Sequence, residues 1–95
     1  MKRTDIIQSL IDKVGAENYL EVGVSAGENF RDIKCKNKVG VDPEPSTPAT
    51  IHIDSDSFFK DNKRTFDVIF IDGLHHADQV YRDINNSLAI LNDKG

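Results

Sequence analysis

The side chains that could do chemistry in this sequence fall at four places, each at or directly after a short apolar run. These places are 21–27, Asp42, 54–56 and 72–76. Carboxylates there can accept hydrogen bonds from the hydroxyl or amino groups of a ligand, and histidines can hold a cation or a proton. Glycines within the first place would let the backbone approach a ligand closely. The pattern therefore predicts binding or transfer chemistry beside the ends of several short elements.

The first place is a glycine-rich turn with the sequence EVGVSAG at 21–27. Gly23 and Gly27 would admit a ligand close to the backbone, and the N–H groups of a following helix would attract a carboxylate or a phosphate. A tight turn between a strand and a helix needs glycine for its own geometry, so this second interpretation stays open. The spacing fits neither the dinucleotide motif G-x-G-x-x-G nor the phosphate loop G-x-x-x-x-G-K-[ST].

Ser25 also completes G-x-S-x-G, the nucleophile elbow of serine hydrolases, and Asp72 and His75 follow in hydrolase order. An elbow normally lies inside a larger sheet, whereas only 22 residues precede Gly23. In addition, Ser25 and Glu28 have the S-x-x-E spacing of a capping box, which predicts a helix start without any catalysis. A serine hydrolase with Ser25 as the nucleophile is therefore kept as a second alternative function.

Two further acidic places suit the recognition of a nucleoside. Asp42 lies 19 residues after Gly23, close to the spacing of ~20 that places an acid on a ribose diol. A solvated turn acid before Pro43 is the competing interpretation. The Asp-Ser-Asp sequence at 54–56 offers acceptors and donors for an exocyclic amine such as that of adenine, but the same residue types also cap helices.

The fourth place is Asp-Gly-Leu-His-His at 72–76. Asp72, with His75 three residues later, could bind a divalent cation or act with a general base. A solvent-facing loop at the end of a strand would have the same composition. One carboxylate and one imidazole also leave most of a coordination shell empty.

Composition narrows the possible partners and the compartment. The 95 residues carry a net charge of -4 without a run of basic residues, which argues against nucleic-acid binding. No apolar stretch approaches ~20 residues, so no membrane span is predicted. Cys35 is the single cysteine, which excludes an internal disulfide and predicts a reducing, cytoplasmic setting. The length fits one domain, 1–95.

Apolar periodicity indicates how these places are positioned. It predicts helices over 5–14, directly after Ser25, over 56–63 and from 77 onward, and strands over 18–24, 38–42, 50–54 and 66–72. Strands separated by helices run parallel, so the fold class is α/β. The run 66–72 is predicted to be the most buried strand, because four consecutive apolar residues lie within it. Ligands bind such sheets at the carboxyl ends of the strands, where all four polar places fall.

Taken together, the four motifs resemble the first half of a class I S-adenosylmethionine-dependent methyltransferase. The motifs are E-V-G-V-S-A-G, V-G-V-D-P, D-S-D-S-F-F and F-D-V-I-F-I-D-G-L-H-H, in that order. The last is most similar to bacterial small-molecule methyltransferases related to the catechol O-methyltransferases. The resemblance implies a Rossmann-like, doubly wound parallel sheet of about four strands that stops before strand five. It also implies S-adenosylmethionine as cofactor and methyl transfer to an oxygen or nitrogen of a small molecule.

The resemblance also implies roles for the residues of the first two motifs. Glu21 corresponds to the acid of the first motif, and Gly23 and Gly27 would leave room for the methionine part of the cofactor. Ser25 would begin a helix that faces the methionine carboxylate, although many relatives have glycine at this position. Asp42 corresponds to the ribose acid.

For the last two motifs the resemblance implies adenine contacts and a cation. Asp54 and Ser55 would contact adenine, with Asp56 as the alternative because the loop can be aligned one step either way. Asp72 corresponds to the acid at the end of strand four, which is one cation ligand in metal-dependent relatives. His75 would be a second ligand or a base.

The resemblance further implies that this chain is the cofactor-binding half of an enzyme. The further cation ligands and most of the pocket for the small-molecule acceptor would lie beyond strand four. We therefore expect the 95 residues to be inactive alone and to form homo-oligomers through the unpaired edge of the strand at 66–72. A non-catalytic module that binds a nucleotide or adenosine is the first alternative, since it needs Gly23, Asp42 and Asp54 but neither Asp72 nor His75.

Overall fold

The fold alternates helices and strands along the chain. A computed structural model describes residues 3–25, 27–71 and 77–92. Its elements are α1 (Arg3–Val14), β1 (Asn18–Val22), α2 (Glu28–Asp32), β2 (Asn37–Val41), α3 (Ser55–Asp61), β3 (Val68–Ile71) and α4 (Ala77–Ile90). Across these ranges, no helix combines the length and the apolar character needed to cross a membrane.

The strands form one parallel sheet in the order β2-β1-β3. Leu20 at the centre of β1 lies opposite Val39 of β2 and Ile69 of β3. Because side chains alternate across a strand, one face of β1 packs with Ile7 of α1 and the other with Phe58 of α3. Helices therefore cover both faces, and the predicted doubly wound, Rossmann-like arrangement is confirmed.

The prediction of about four strands is wrong for the described residues, which contain three. The run 50–54 makes only an isolated bridge, in which Ile51 pairs with Val41 at the outer side of β2. Two hydrogen bonds hold it there, from Ile51 N to Gly40 O at 3.0 Å and from Asp42 N to Ile51 O at 3.2 Å. Pairing stops because the chain enters α3 directly afterwards, with Asp54 as the N-cap.

The prediction that 66–72 is the most buried strand is also wrong. The central strand β1 is the most buried, with Tyr19 and Leu20 fully inaccessible, whereas every residue of β3 is half-buried. The reason is position, because β3 lies at the edge of the sheet. On its outer side, the described chain contributes only the bridge from Leu91 to Phe66. This edge position agrees with the unpaired edge expected for the strand at 66–72.

Helix α4 presents a different face to the interior from the one its apolar spacing predicts. Tyr81, Ile84 and Leu88 are 69%, 46% and 63% exposed, whereas Asp83 and Ser87 are buried. Two of these apolar residues, Ile84 and Leu88, lie instead beside β3, where they line a hollow with the strand's two isoleucines. The polar stripe of α4, which includes Asp83 and Ser87, therefore faces the carboxyl end of the sheet. It contacts α3, where Ser55 Oγ donates a hydrogen bond to Asp83 Oδ1.

Candidate functional site

The turn after β1 has a left-handed backbone at three positions. Gly23, Ser25 and Gly27 have φ angles of 85°, 56° and 85°. Such angles favour glycine, and at serine they are strained. A Cβ atom on Gly27 would also lie 2.2 Å from Pro48 Cγ. The turn's own geometry therefore explains both glycines, and close approach of a ligand stays a prediction for them.

The predicted capping box of Ser25 and Glu28 is wrong. Helix α2 begins at Glu28, its N-cap is Gly27, and no side chain caps it. Ser25 cannot reach the helix, because its left-handed backbone and that of Gly27 turn the chain before the first helical residue. Instead, the exposed Ser25 donates its backbone N–H to Asp42. A strained serine on a sharp turn between a strand and a helix is also found in a nucleophile elbow, but Asp72 and His75 lie outside the described residues.

Asp42 connects the ends of two neighbouring strands. Its Oδ2 accepts the Ser25 N–H at 2.9 Å, and its Oδ1 accepts the Glu44 N–H at 2.9 Å. The bond to Glu44 confirms the turn role. A carboxylate has about four acceptor positions, so each oxygen can still accept a second bond. The half-buried side chain thus combines the turn role with capacity for a ribose diol.

Asp54 has the capping role that competed with ligand binding. Its side chain accepts the Ser57 N–H at 2.7 Å and the Ser57 hydroxyl at 3.1 Å. These bonds, the backbone one first, lower the pKa of the exposed Asp54 carboxyl from its usual value. Its neighbour Ser55 turns inward and donates from Oγ to Asp83 Oδ1 at 2.6 Å. Asp56 is exposed and lies 3.6 Å from Arg82 Nε.

The sequence motifs do not include two residues of this region, Gln79 and Asp83 of α4. Asp83 is 1% exposed. Gln79 Nε2 lies 2.9 Å from Asp83 Oδ1, 3.0 Å from Ser55 Oγ and 3.3 Å from Asp56 Oδ1. A signal was present in the sequence, because Gln79, Asp83 and Ser87 recur at intervals of four and so share one helix face.

A cavity of about 170 Å³ brings several of these residues together at the carboxyl end of the sheet. It is lined by Val22, Gly23, Val41, Pro43, Asp54, Ser55, Gln79 and Asp83. Of the predicted cofactor residues, Gly23, Asp54 and Ser55 line it, and Asp42 follows Val41 in the chain. Sites for whole drug-sized ligands measure roughly 300–1,000 Å³, so this cavity suits one ring system of a larger ligand.

Glu21 does not line this cavity. It is 1% exposed and accepts a hydrogen bond from Tyr19 Oη at 2.7 Å. Burial, followed by the neighbouring Glu21, raises the pKa of the Tyr19 hydroxyl. Because Tyr19 packs with α1 and α2 and alternate residues share a face, Glu21 points to the opposite side from Val22. A larger hollow of about 750 Å³, next to the start of α1 and α2, includes Gly27.

Comparisons with known proteins decide the family. The family model described as "Methyltransferase domain" matches residues 23–95. The chain belongs to the class I S-adenosylmethionine-dependent methyltransferases. Its fold is similar to a crystal structure of an O-methyltransferase from Bacillus cereus in complex with SAH, with a TM-score of 0.69 and 16% sequence identity. No curated protein matches the sequence.

The similarity covers 95% of this chain and 51% of the Bacillus cereus methyltransferase chain. The chain therefore spans about half the length of that structure. The end of the last motif, 72–76 with Asp72 and His75, lies outside the described residues. Among the residues that are described, no group of three or more His, Cys, Asp and Glu side chains could hold a metal ion. The cation at Asp72 stays a prediction.

Proposed function

We propose that this chain binds S-adenosylmethionine at the carboxyl ends of β1 and β2 and is the cofactor-binding half of a methyltransferase. The reaction would transfer a methyl group to an oxygen or nitrogen of a small molecule. The observation that carries the proposal is the cavity of about 170 Å³, where Gly23, Asp54 and Ser55 meet beside Asp42. Family membership gives the chemistry, and this cavity gives a place for the adenine ring.

The residues present suit the parts of this cofactor. Val22 and Val41 give the cavity apolar walls that suit the faces of a purine, and Ser55 offers a polar edge. Asp42, just outside the lining, retains acceptor capacity for the two ribose hydroxyls. The turn at 23–27 would hold the methionine part. When bound, S-adenosylmethionine supplies the methyl group, and the residues of this half bind and orient it.

Asp42→Ala tests the proposal by isothermal titration of the chain with S-adenosylhomocysteine. We expect weak binding to the unmodified chain and none to the variant. Charge-assisted bonds to a diol contribute about 1.5 to 3 kcal/mol, which is on the order of 10- to 100-fold in affinity. Asp67→Ala, at the opposite end of the sheet, is the matched control and should bind normally. Equal affinity of the unmodified chain and Asp42→Ala would contradict the site.

We also propose that the 95 residues show no turnover with any acceptor. Rate acceleration by alignment requires both reactants to be held close together, and the residues named above serve the methyl donor. A labelled-methyl assay that detects multiple turnovers would overturn this expectation. A non-catalytic adenosine-binding module would bind S-adenosylhomocysteine through the same cavity. A longer form of the chain would distinguish the two functions, because a non-catalytic module would bind this ligand and still show no methyl transfer.

For the partner, we propose a second copy of this chain on the outer edge of β3. An apolar hollow of about 210 Å³ runs along it, lined by Ile69, Ile71, Ile84, Ser87, Leu88 and Leu91. Ser87 Oγ is buried there without a hydrogen-bond partner in the described chain. Two β3 edges related by a two-fold axis would pair their backbones and bring both hollows into one interface.

Sedimentation velocity over a range of concentrations tests this association. We expect dimers, and we expect Leu88→Asp to dissociate them, because Leu88 is 63% exposed and its replacement should leave the fold intact. Asn85→Asp adds the same charge to an exposed position of the same helix and is the matched control. A monomer at every concentration would contradict the proposal.

A further inference from the structure

The carboxylate of Asp83 forms part of the cavity wall, and one of its two oxygens accepts no hydrogen bond from the described residues. It is 1% exposed, and both of its hydrogen bonds, from Ser55 Oγ and Gln79 Nε2, end on Oδ1. Within the described ranges no group donates to Oδ2. The one fully buried side-chain oxygen or nitrogen without a partner in these ranges is Ser87 Oγ. Oδ2 of Asp83 must therefore reach open space, and the open space that Asp83 lines is the cavity.

The neighbouring side-chain donors of α4 contact atoms other than Asp83 Oδ2. Gln79 Nε2 is shared among Asp83, Ser55 and Asp56. The guanidinium of Arg82 donates to Gln79 Oε1 at 2.6 Å and pairs with Asp56. Neither group has a further proton directed at Oδ2 in these contacts. The cavity therefore presents an unfilled acceptor, and a ligand that fits must bring an N–H or O–H donor.

A purely structural role explains only one of the two carboxylate oxygens of Asp83. To hold α3 against α4, Asp83 needs the one oxygen that receives Ser55 and Gln79, and an asparagine would supply it. A second, charged oxygen left without a donor in a buried position is costly. Buried polar groups without partners mark places where a ligand or another group completes the bonding.

We propose that Asp83 is a specificity-determining residue, whose Oδ2 accepts a hydrogen bond from the exocyclic amino group of an adenine ring in the cavity. The chain would therefore select a 6-aminopurine over a 6-oxopurine, which carries an acceptor at that position. This inference rests on the proposed function, since it requires that the cavity holds the base of the cofactor. It adds a residue of α4 to the contacts that the motifs implied.

Asp83→Asn tests the inference with two ligands, S-adenosylhomocysteine and its 6-oxo counterpart S-inosylhomocysteine. Ser55 and Gln79 both donate at the Oδ1 position, so the asparagine oxygen stays there and its NH₂ replaces Oδ2. A donor then faces the ligand in place of an acceptor. We expect the unmodified chain to prefer the amino ligand by on the order of tenfold or more, because an unpaired polar group in a binding site is penalised. The variant should lose this preference or reverse it.

The two hypotheses fail in different ways. If the unmodified chain binds neither ligand, the proposed function fails together with the inference. If it binds S-adenosylhomocysteine but Asp83→Asn keeps the same ratio of the two affinities, only the inference is overturned, and Asp83 is structural. Asp67→Asn, at the far end of the sheet, is the matched control and should leave the ratio unchanged. Should Asp83→Asn not fold, the ratio in the unmodified chain decides, and a value within about twofold overturns the inference.

Discussion

The two ends of this sheet use the same residue types with different results. At the amino end, Asp67 accepts the N–H groups of Glu17 and Asn18 on Oδ2, each at 3.0 Å, and the Asn92 side chain on Oδ1 at 2.7 Å. Three donors of the chain itself thus occupy three of its roughly four acceptor positions. At the carboxyl end, Asp83 concentrates its bonds on one oxygen and lines a cavity. An acid beside the sheet therefore indicates binding only where acceptor capacity is left over beside open space.

Helix α2 runs between the two ends of the sheet, and its own two ends differ in the same way. At its C-terminus, Lys38 Nζ donates to the carbonyl oxygens of Phe30 and Ile33, so a cation closes the end where carbonyls lack helical partners. At its N-terminus, Gly27 provides no side-chain cap. The amino end of the sheet is closed by its own side chains, whereas at the carboxyl end the described residues place no side-chain cap on α2 and leave acceptor capacity on Asp42 and Asp83.

The largest effect is expected for Gly27→Ala, which tests whether the turn at the carboxyl end tolerates any side chain. Gly27 has φ 85°, and an added Cβ would lie 2.2 Å from Pro48 Cγ. A left-handed backbone costs an L-residue about 1–2 kcal/mol, and overpacking costs about 1–3 kcal/mol more. We expect the free energy of unfolding to fall by about 3 kcal/mol in urea titrations.

Gly15→Ala is the matched control for this substitution. Gly15 has φ 66°, but a Cβ there would meet nothing within 4 Å. Only the backbone cost applies, about 1 kcal/mol. If both variants lose the same stability, the contact of Gly27 with Pro48 does not constrain the turn.

A smaller effect is expected for Lys38→Met at the amino end. Methionine keeps an apolar stem but loses the two bonds to the carbonyls of Phe30 and Ile33. We expect a loss of about 1–2 kcal/mol in the free energy of unfolding and unchanged affinity for S-adenosylhomocysteine. Lys36→Met controls for charge, because the exposed Lys36 makes only a 3.7 Å surface pair with Glu17, worth about 0–1 kcal/mol. A changed affinity of Lys38→Met for S-adenosylhomocysteine would contradict the view that the two ends of the sheet have separate roles.

The sequence predicted the parallel α/β class and the placement of polar residues at the strand ends, because both follow from local periodicity. It could not predict which residues of an edge strand are covered, and so β3 was expected to be more buried than β1. It also missed Asp83, since the apolar spacing of a helix does not show whether an acid between the apolar positions is buried. Only the packing of α4 beside α3 shows that its polar stripe is the buried one.

Ser25 illustrates a second limit of prediction. The spacing to Glu28 fits a capping box, and the motif alone does not distinguish that arrangement from a left-handed turn. The outcome depends on Asp42, 17 residues away in the chain, which accepts the Ser25 N–H. Such a contact forms only when β1 and β2 pair, so it cannot be deduced from the local sequence.

The smallest effect is expected for Asp67→Asn, and its dependence on pH tests whether the charge of Asp67 stabilises the amino end of the sheet. Hydrogen bonds, first from the Asn92 side chain and then from the Glu17 N–H, lower the pKa of the Asp67 carboxyl from its ordinary value of 3.8. A carboxyl with a lowered pKa in the folded state stabilises the fold above its unfolded pKa, and this contribution disappears as the pH falls through the folded pKa. The side chain is only half-buried, so we expect the variant to be at most about 1 kcal/mol less stable at pH 7.

This difference from the unmodified chain should stay constant from pH 7 to pH 5 and shrink below about pH 4, as measured by urea midpoints at each pH. The affinity for S-adenosylhomocysteine should not change at pH 7, because all three donors to Asp67 come from the chain itself. A stability difference that is independent of pH would show that Asp67 acts through its shape rather than its charge. A loss of ligand affinity would show that the amino end of the sheet is coupled to the cavity, and the two ends could then no longer be treated as separate.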